Sequence, residues 1–405
     1  MSFDSFNIFG YIRGRFKAMN PQLRLFLVGI MLLGVAGGIF ETTFNNFLND
    51  TFDITADSRG FLEFPRELPG FLTALFAGML FFLPETMIAA FCAFAIGVGM
   101  IGIAVWGQSW MWMMTFMIVW SSGIHLMMPI RSSVTMHLAD ASKKGRRLGQ
   151  VAGAGVAATL VGCGIVWVGM KYLDAGYSLT FIIGGVCAIV AGGVFAIMRL
   201  PEAHLKRPSF VWNSRYWLFY VLALLFGARK QIFITFGPWV LVRVFDQPAY
   251  IIAQLWMVAA VLGIFFNPAL GSIIDRFGER RVLMADSVFV FLVCMGYGLS
   301  HLLASEKMAL GLLYVCYVTD HLLFGVNMAR TTYLSKIVVK KEDVAPSLSL
   351  GISINHAVSM SIPALGGIMW MKYGHSSVFM GAAVVALFML FFSSLVRTDK
   401  LYGDN

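Results

Sequence analysis

Charge is what this chain has least of. Asp, Glu, Lys and Arg make up 13% of its 405 residues while apolar residues make up 59%, and soluble domains carry roughly 25% charged residues. That shortage excludes an ordinary water-exposed surface. Cysteine is also sparse. Cys92, Cys163, Cys187, Cys294 and Cys316 all fall inside apolar stretches with no paired spacing, which excludes a disulfide framework and a thiolate metal cluster. The chain shows no metal-ligand spacing, no nucleophile motif and no G-x-x-x-x-G-K-[ST] loop. It is therefore read as neither an enzyme nor a user of ATP, with no cofactor and no metal. Long polar connections are missing too, so no soluble domain is inserted between the apolar stretches. The first of these is too long for a signal-peptide core and no small-residue cleavage site follows it, so it is expected to persist as a span.

What the chain has instead is about twelve apolar runs of about 20 residues, each long enough to cross a hydrocarbon core of roughly 30 Å as a helix. They begin near Leu23, Leu62, Pro84, Trp110, Leu148, Tyr177, Tyr216, Tyr250, Val282, Met308, Leu348 and Ser377. The tails and the even-numbered gaps hold twenty Lys and Arg, among them Arg13, Lys17, Lys143, Arg207, Arg281 and Lys341. The odd-numbered gaps hold five: Arg59, Lys171, Arg243, Lys307 and Lys372. This asymmetry predicts an even span count with both termini cytoplasmic. The net charge of +9 sits in short juxtamembrane loops, where anionic lipid accounts for it. Nucleic acid is excluded as a partner, and membrane lipid is expected as one. A compact chain of this kind suits a bacterial plasma membrane and a monomer.

The longest polar connector, RLPEAHLKRPSFVWNSR over 199–215, separates six stretches from six. The expected organisation is a cytoplasmic tail over 1–22, a six-helix bundle over 23–198, the connector, a second six-helix bundle over 216–397 and a tail over 398–405. Faint self-similarity supports duplication. Arg131, Ser132 and Ser133 in the fourth stretch match Arg330, Thr331 and Thr332 in the tenth, and Thr43, Phe44 and Phe47 in the first match Thr235, Phe236 and Trp239 in the seventh.

Between the eighth and ninth stretches the string GSIIDRFGERR contains Gly271, Asp275, Arg276, Gly278, Arg280 and Arg281. It resembles the G-x-x-x-D-R-x-G-R-R signature of the major facilitator superfamily. In that family the motif lies between spans two and three and, more weakly, between eight and nine. Physically, the first Gly lets two helices approach, the Asp can meet a helix N-terminus or an Arg, and the second Gly makes the turn. The resemblance implies an all-α polytopic membrane protein that works as a secondary transporter, with the motif as a conformational latch. Two features depart from the family pattern. The first-half loop, Gly78 to Glu85, lacks the Asp-Arg pair, so a one-sided latch is expected. The fifth stretch carries Gly153, Gly155 and Gly162 but lacks the Gly-Pro pair of the family's drug antiporters.

Ionisable residues at membrane depth are costly, which makes them candidates for function. Arg229 and Lys230 lie midway along the seventh stretch, Asp320 and His321 near the middle of the tenth, Glu41 in the first, and Arg66 and Glu67 in the second. Consecutive helical positions point about 100° apart, so at least one of Arg229 and Lys230 should face a central cavity and hold an anion. The alternative is that both are neutralised by Asp320 and Glu41. Arg59, Glu63, Arg66 and Glu67 fall at i, i+3 and i+4 spacings and can pair along one face, with Pro65 and Pro69 loosening the backbone there. Arg66 and Glu41 are assigned to substrate, with Phe236 among the cavity aromatics. Asp320, His321 and Glu67 are assigned to proton coupling. His125 and His356 read as hydrogen-bonded packing residues, and Arg131 and Arg330 as structural cations. The resulting expectation is proton-coupled transport of a small organic anion. Export of cationic or amphiphilic compounds and a non-transporting sensor or scaffold remain as alternatives.

Overall fold

The computed structural model describes residues 19–76, 83–139, 144–200, 213–340 and 343–397. The sequence motif over 78–82, the cations Arg13, Arg15, Lys17, Lys143, Lys206, Arg207, Lys341 and Lys400, and most of both tails and of the central connector lie outside them. Every regular element among the described residues is helical: α1 Pro21–Phe52, α2 Ala56–Phe61, α3 Glu63–Phe76, α4 Glu85–Trp106, α5 Trp110–His137, α6 Lys144–Tyr172, α7 Tyr177–Ala196, α8 Trp217–Arg243, α9 Ala249–Leu299, α10 Glu306–Leu323, α11 Asn327–Ile337, α12 Val344–Tyr373 and α13 His375–Ser394, with short 3-10 turns before α8, after α9 and between α10 and α11.

Local chemistry fixes the boundaries. Asn20 caps α1 by accepting from the Gln22 N–H at 2.8 Å, with Pro21 at the first helical position, where its missing N–H is not needed. At 32 residues, α1 is about 48 Å long, more than a bilayer core requires, so it must tilt or protrude. It stops at Asp53, whose φ of 47° turns the chain left-handed. The expected eighth and ninth stretches follow one another without a connecting loop over 51 residues, with a non-helical break at Gly278, φ 80° and ψ 160°. That conformation is open essentially to glycine alone, so Gly278 divides α9 into two arms. The second stretch breaks differently: a turn at Leu62 separates α2 from α3, and Pro69 lies inside α3. Ten helical segments among the described residues are long and apolar enough to span a membrane.

Small residues set which helices touch. Gly34 and Gly38 of α1 meet the backbone of Gly155 and Thr159 on α6, and Gly162 meets Val35, so these two helices approach closely through paired glycines. Gly60 of α2 lies against the Pro363 carbonyl and Gly367 of α12 against the Ala56 carbonyl. This second seam joins the part of the chain before residue 201 to the part after 212. At the same level, and toward the Phe52 and Arg243 ends of α1 and α8, further contacts cross between the two parts. Asn46 Nδ2 donates to the Gln247 carbonyl at 2.8 Å, and Arg243 pairs with Asp53 and donates to Asn49 Oδ1 at 3.2 Å. We call this the sealed end. The larger apolar core runs through both parts of the chain, while a smaller one, around Phe26, Ile130 and Phe195, fills the far end of α1, α4, α5 and α7.

Candidate functional site in the central cavity

Behind the seal lies a cavity of about 370 Å³. Glu41 and Asn45 of α1, Arg66 and Glu67 of α3, and Trp120, Ile124, His125 and Met128 of α5 form one wall. Lys230 and Phe233 of α8, Trp256 of α9, Tyr317, Asp320 and His321 of α10, and His356 of α12 form the other. A second cavity of about 330 Å³, between α1, α4, α5 and α6, shares Ile124 and Met128 with the first and reaches Arg131 and Ile30. The two therefore continue toward the end opposite the seal.

The floor of the cavity is a charge network built by the broken second stretch. Arg59 donates from Nε to Asn45 Oδ1 at 2.9 Å and from Nη1 to Glu63 Oε1 at 2.5 Å. Arg66 Nε donates to Glu63 Oε2 at 2.8 Å, and its Nη2 lies 3.5 Å from Glu67 Oε1. Arg59 with Glu63 and Glu63 with Arg66 are the i+4 and i+3 pairings that the sequence spacing allows. Gln231 of α8 completes Glu63 by donating to Oε2 at 2.6 Å, and His356 Nδ1 of α12 approaches Glu67 Oε2 at 3.0 Å. Glu63 is fully buried, and three donors, from Arg59, Arg66 and Gln231, surround its two oxygens.

Arg229 and Lys230 part company, as adjacent helical positions must. Arg229 turns toward α10, where Nη2 meets Asp320 Oδ1 at 2.6 Å and the guanidinium lies 4.8 Å from the Phe324 ring centre. Only 1% of Arg229 is exposed and it does not line the cavity. One guanidinium nitrogen is thus held by Asp320, while Nε and Nη1 are buried without a hydrogen-bond partner among the described residues. Lys230 does line the cavity, with Nζ donating to Asn355 Oδ1 at 2.9 Å. Glu41 lines it as well and, among the described residues, makes neither a hydrogen bond nor an ion pair. Asp320 pairs with Arg229 rather than Lys230. His321 lies along the same wall, its Nδ1 2.9 Å from the Tyr317 carbonyl and its ring against Trp256 and Tyr317. Phe236 does not reach the cavity. It is fully buried and packs against Trp370 and Gly366.

In the loop motif, Asp275, Arg276, Arg280 and Arg281 are exposed and make no ion pair among the described residues. The acid that does engage there is Glu279, buried and paired with Lys336 Nζ of α11 at 2.6 Å. Glu85, the first residue of α4, does the equivalent in the first half: it accepts from Ser133 at 2.6 Å and faces His137 Nδ1 at 3.1 Å, both on α5. Sequence reading passed over Glu85 and Glu279 as loop residues, and over Gln231 as an uncharged one. It also missed Asp286, buried in the second arm of α9 with an unpartnered Oδ1. That carboxylate stands inside an apolar run and obeys the same rule that singled out Asp320. Finally, Glu67, His125 and His356 gather within 4.8 Å of one another through one ligand atom each. They come from three helices, so no spacing along the chain announces a metal-ligating set.

Ten helical segments long and apolar enough to cross a membrane, two halves meeting across a central cavity with charged groups in its lining, and ion pairs buried between helices fit an integral membrane transporter rather than an enzyme. The family pattern described as Major Facilitator Superfamily matches residues 26–338, and the chain belongs to that superfamily. Among solved structures, the nucleoside transporter NupG is similar over 93% of this chain and 99% of its own, with 14% identity and a TM-score of 0.75. A bacterial homologue of the human lysosomal transporter Spinster, inward-facing and unoccupied, is similar over 93% of this chain and 97% of its own at 14% identity, with a TM-score of 0.70. A D-xylose-proton symporter is similar over 94% and 99% at 14% identity, with a TM-score of 0.67. None of the curated proteins matches the chain in sequence.

Proposed function

We propose that the protein moves a small organic anion together with protons by alternating access, and that it has twelve spans in two six-helix bundles over 23–198 and 216–397. The observation that carries the substrate assignment is the pairing state of the cavity charges. Lys230 is the cavity cation without a carboxylate partner, and Glu41 is the carboxylate without a cation among the described residues. Lys230 is the anchor for a substrate anion, and Glu41 is the carboxyl that takes and releases the proton. Asp320, already committed to Arg229, is the weaker candidate for that step, with His321 and Glu67 as neighbours that can relay it. Arg66 supplies the second positive pole. Similarity to a proton symporter fold supports this reading at the level of architecture.

The arrangement is the state closed on one side: contacts such as Asn46 with Gln247 seal the outer end, and the paired cavities run toward the opposite end. With termini in the cytoplasm, as the positive-inside bias favours, this is the inward-facing state of a protein of the bacterial plasma membrane, acting as a monomer. Gly271, Asp275, Arg276, Gly278, Arg280 and Arg281 form the latch that closes in the other state, when a partner reaches the exposed charges. The test uses purified protein in liposomes carrying an entrapped pH dye, challenged with a panel of carboxylate and phosphate metabolites. A wild-type proton flux that depends on one of these anions, lost in Lys230→Met, is expected. In Glu41→Gln, exchange of that anion should persist while its coupling to protons disappears. Anion-driven flux unchanged in both variants refutes the assignment.

One observation favours a second reading. The unpaired Glu41 sits near Trp120, Phe233 and Trp256, and a carboxylate among aromatic faces suits an amphiphilic cation. Proton flux driven by lipophilic cations, and not by anions, in the same liposomes decides for export of such compounds.

A further inference from the structure

We propose that Glu67, His125 and His356 form a binding site for a divalent transition-metal ion of the zinc class, placed where such an ion ties α12 to α3 and α5. The argument begins with one proton. Ser121 Oγ donates its hydrogen to the Arg66 carbonyl, so it can only accept from His125 Nδ1, 3.0 Å away. The Ser121 carbonyl, 2.9 Å from the same nitrogen, can only accept as well. Nδ1 therefore carries the hydrogen, and in the neutral ring Nε2 presents a lone pair. That nitrogen faces Glu67 Oε2 at 3.8 Å. Two electron-rich atoms, both buried, point at one another with nothing assigned between them. Anchoring one imidazole nitrogen to a backbone carbonyl so that the other is aimed is the outer-shell arrangement that metal-binding histidines use.

The spacing fits a small cation. Zinc bonds to nitrogen and carboxylate oxygen are about 2.0–2.2 Å long, so tetrahedral ligand atoms lie roughly 3.3–3.5 Å apart. The observed 3.0 Å from His356 Nδ1 to Glu67 Oε2 and 3.8 Å from His125 Nε2 to the same oxygen bracket that value, and all three atoms lie within 4.8 Å of one another. To ligate, His356 moves its proton from Nδ1 to Nε2, so charge is conserved. Arg66 approaches the other carboxylate oxygen, Oε1, which leaves Oε2 for the ion. All three side chains line the cavity, so the fourth position is open to water. Two imidazoles and one carboxylate favour zinc, cobalt or nickel over calcium or magnesium, which take oxygen ligands. The nearby charges of Arg66 and Lys230 weaken the site without filling it, because neither has a lone pair to offer.

The experiment titrates Co²⁺ into the purified full-length protein in detergent and follows its visible absorption, then adds Zn²⁺ and, separately, Mg²⁺. A stoichiometric Co²⁺ band of low-coordinate type, displaced by Zn²⁺ and untouched by Mg²⁺, is expected. His125→Gln and His356→Gln should each weaken binding at least about tenfold, since even outer-shell losses cost 10- to 100-fold. X-ray absorption of the zinc-loaded wild type should count two imidazoles, and this holds whether or not the variants fold. No Co²⁺ band in the wild type, binding unchanged in both variants, or a zinc shell without two imidazoles each overturns the proposal. The readouts are independent of transport, so the site can fail while the anion assignment stands, and the reverse.

Discussion

Removing Arg229 alone should harm the protein far more than removing Arg229 and Asp320 together. At 2.6 Å and an effective dielectric of about 20, the pair attract by roughly 6 kcal/mol. Desolvating each ion costs several kcal/mol, so the net value of the pair is near zero. A single partner left behind is a different matter. Asp320 is 3% exposed, and stranding such a buried charge costs about 3–5 kcal/mol, a factor on the order of 10² to 10³ in the folding equilibrium. Arg229→Met should accordingly lower the melting temperature sharply in detergent. The double variant Arg229→Met with Asp320→Leu should regain most of the loss, because well-packed apolar replacements of a buried pair are neutral or stabilising. Thermal unfolding of the wild type, both single variants and the double variant closes the cycle. Singles that add to within about 0.5 kcal/mol, as independent sites do, would refute the reasoning. If the double variant still transports, Arg229 holds the fold rather than the substrate.

Gly278→Ala tests the break in α9. Nothing lies within 4 Å of the added carbon, so the penalty is conformational alone, about 1–3 kcal/mol for an ordinary residue held in this region, read as a fall in melting temperature; an unchanged melting temperature would mean that the turn is not required. Gly60→Val tests the seam between α2 and α12, where the new side chain falls on the Pro363 carbonyl. Cysteines placed at the sealed end should become labelled faster by a membrane-impermeant thiol reagent in that variant, and equal labelling rates contradict the role given to the seam.

Apolar run length alone carried most of the architecture, because a helix that must satisfy its backbone in lipid leaves few alternatives. The expected helix starts at Leu23, Trp110 and Tyr177 fall within two residues of the observed α1, α5 and α7. The break at Gly278 was legible from the motif, since a turn there needs a residue free to take positive φ. The pairs of Glu63 with Arg59 and Arg66 were legible because spacing along the chain determines them. What could not be read was partner choice across helices. Asp320 could serve Arg229 or Lys230, and only the rotation of α8 about its axis decides. His125 and His356 looked like packing residues for the same reason: each is a lone polar group until a third helix brings Glu67 between them.

The contact between Gly60 and Pro363, mirrored by Gly367 against Ala56, has a mechanical consequence. Main chain rests on main chain at these two points. Two bodies touching through smooth surfaces can roll over one another by shifting the point of tangency, whereas toothed surfaces must first separate. The seam is thus suited to act as a bearing, and the proposed reorientation is opposed by the hydrogen bonds of Glu63 with Gln231 of α8 and of Glu67 with His356 of α12, together with the contacts of the sealed end.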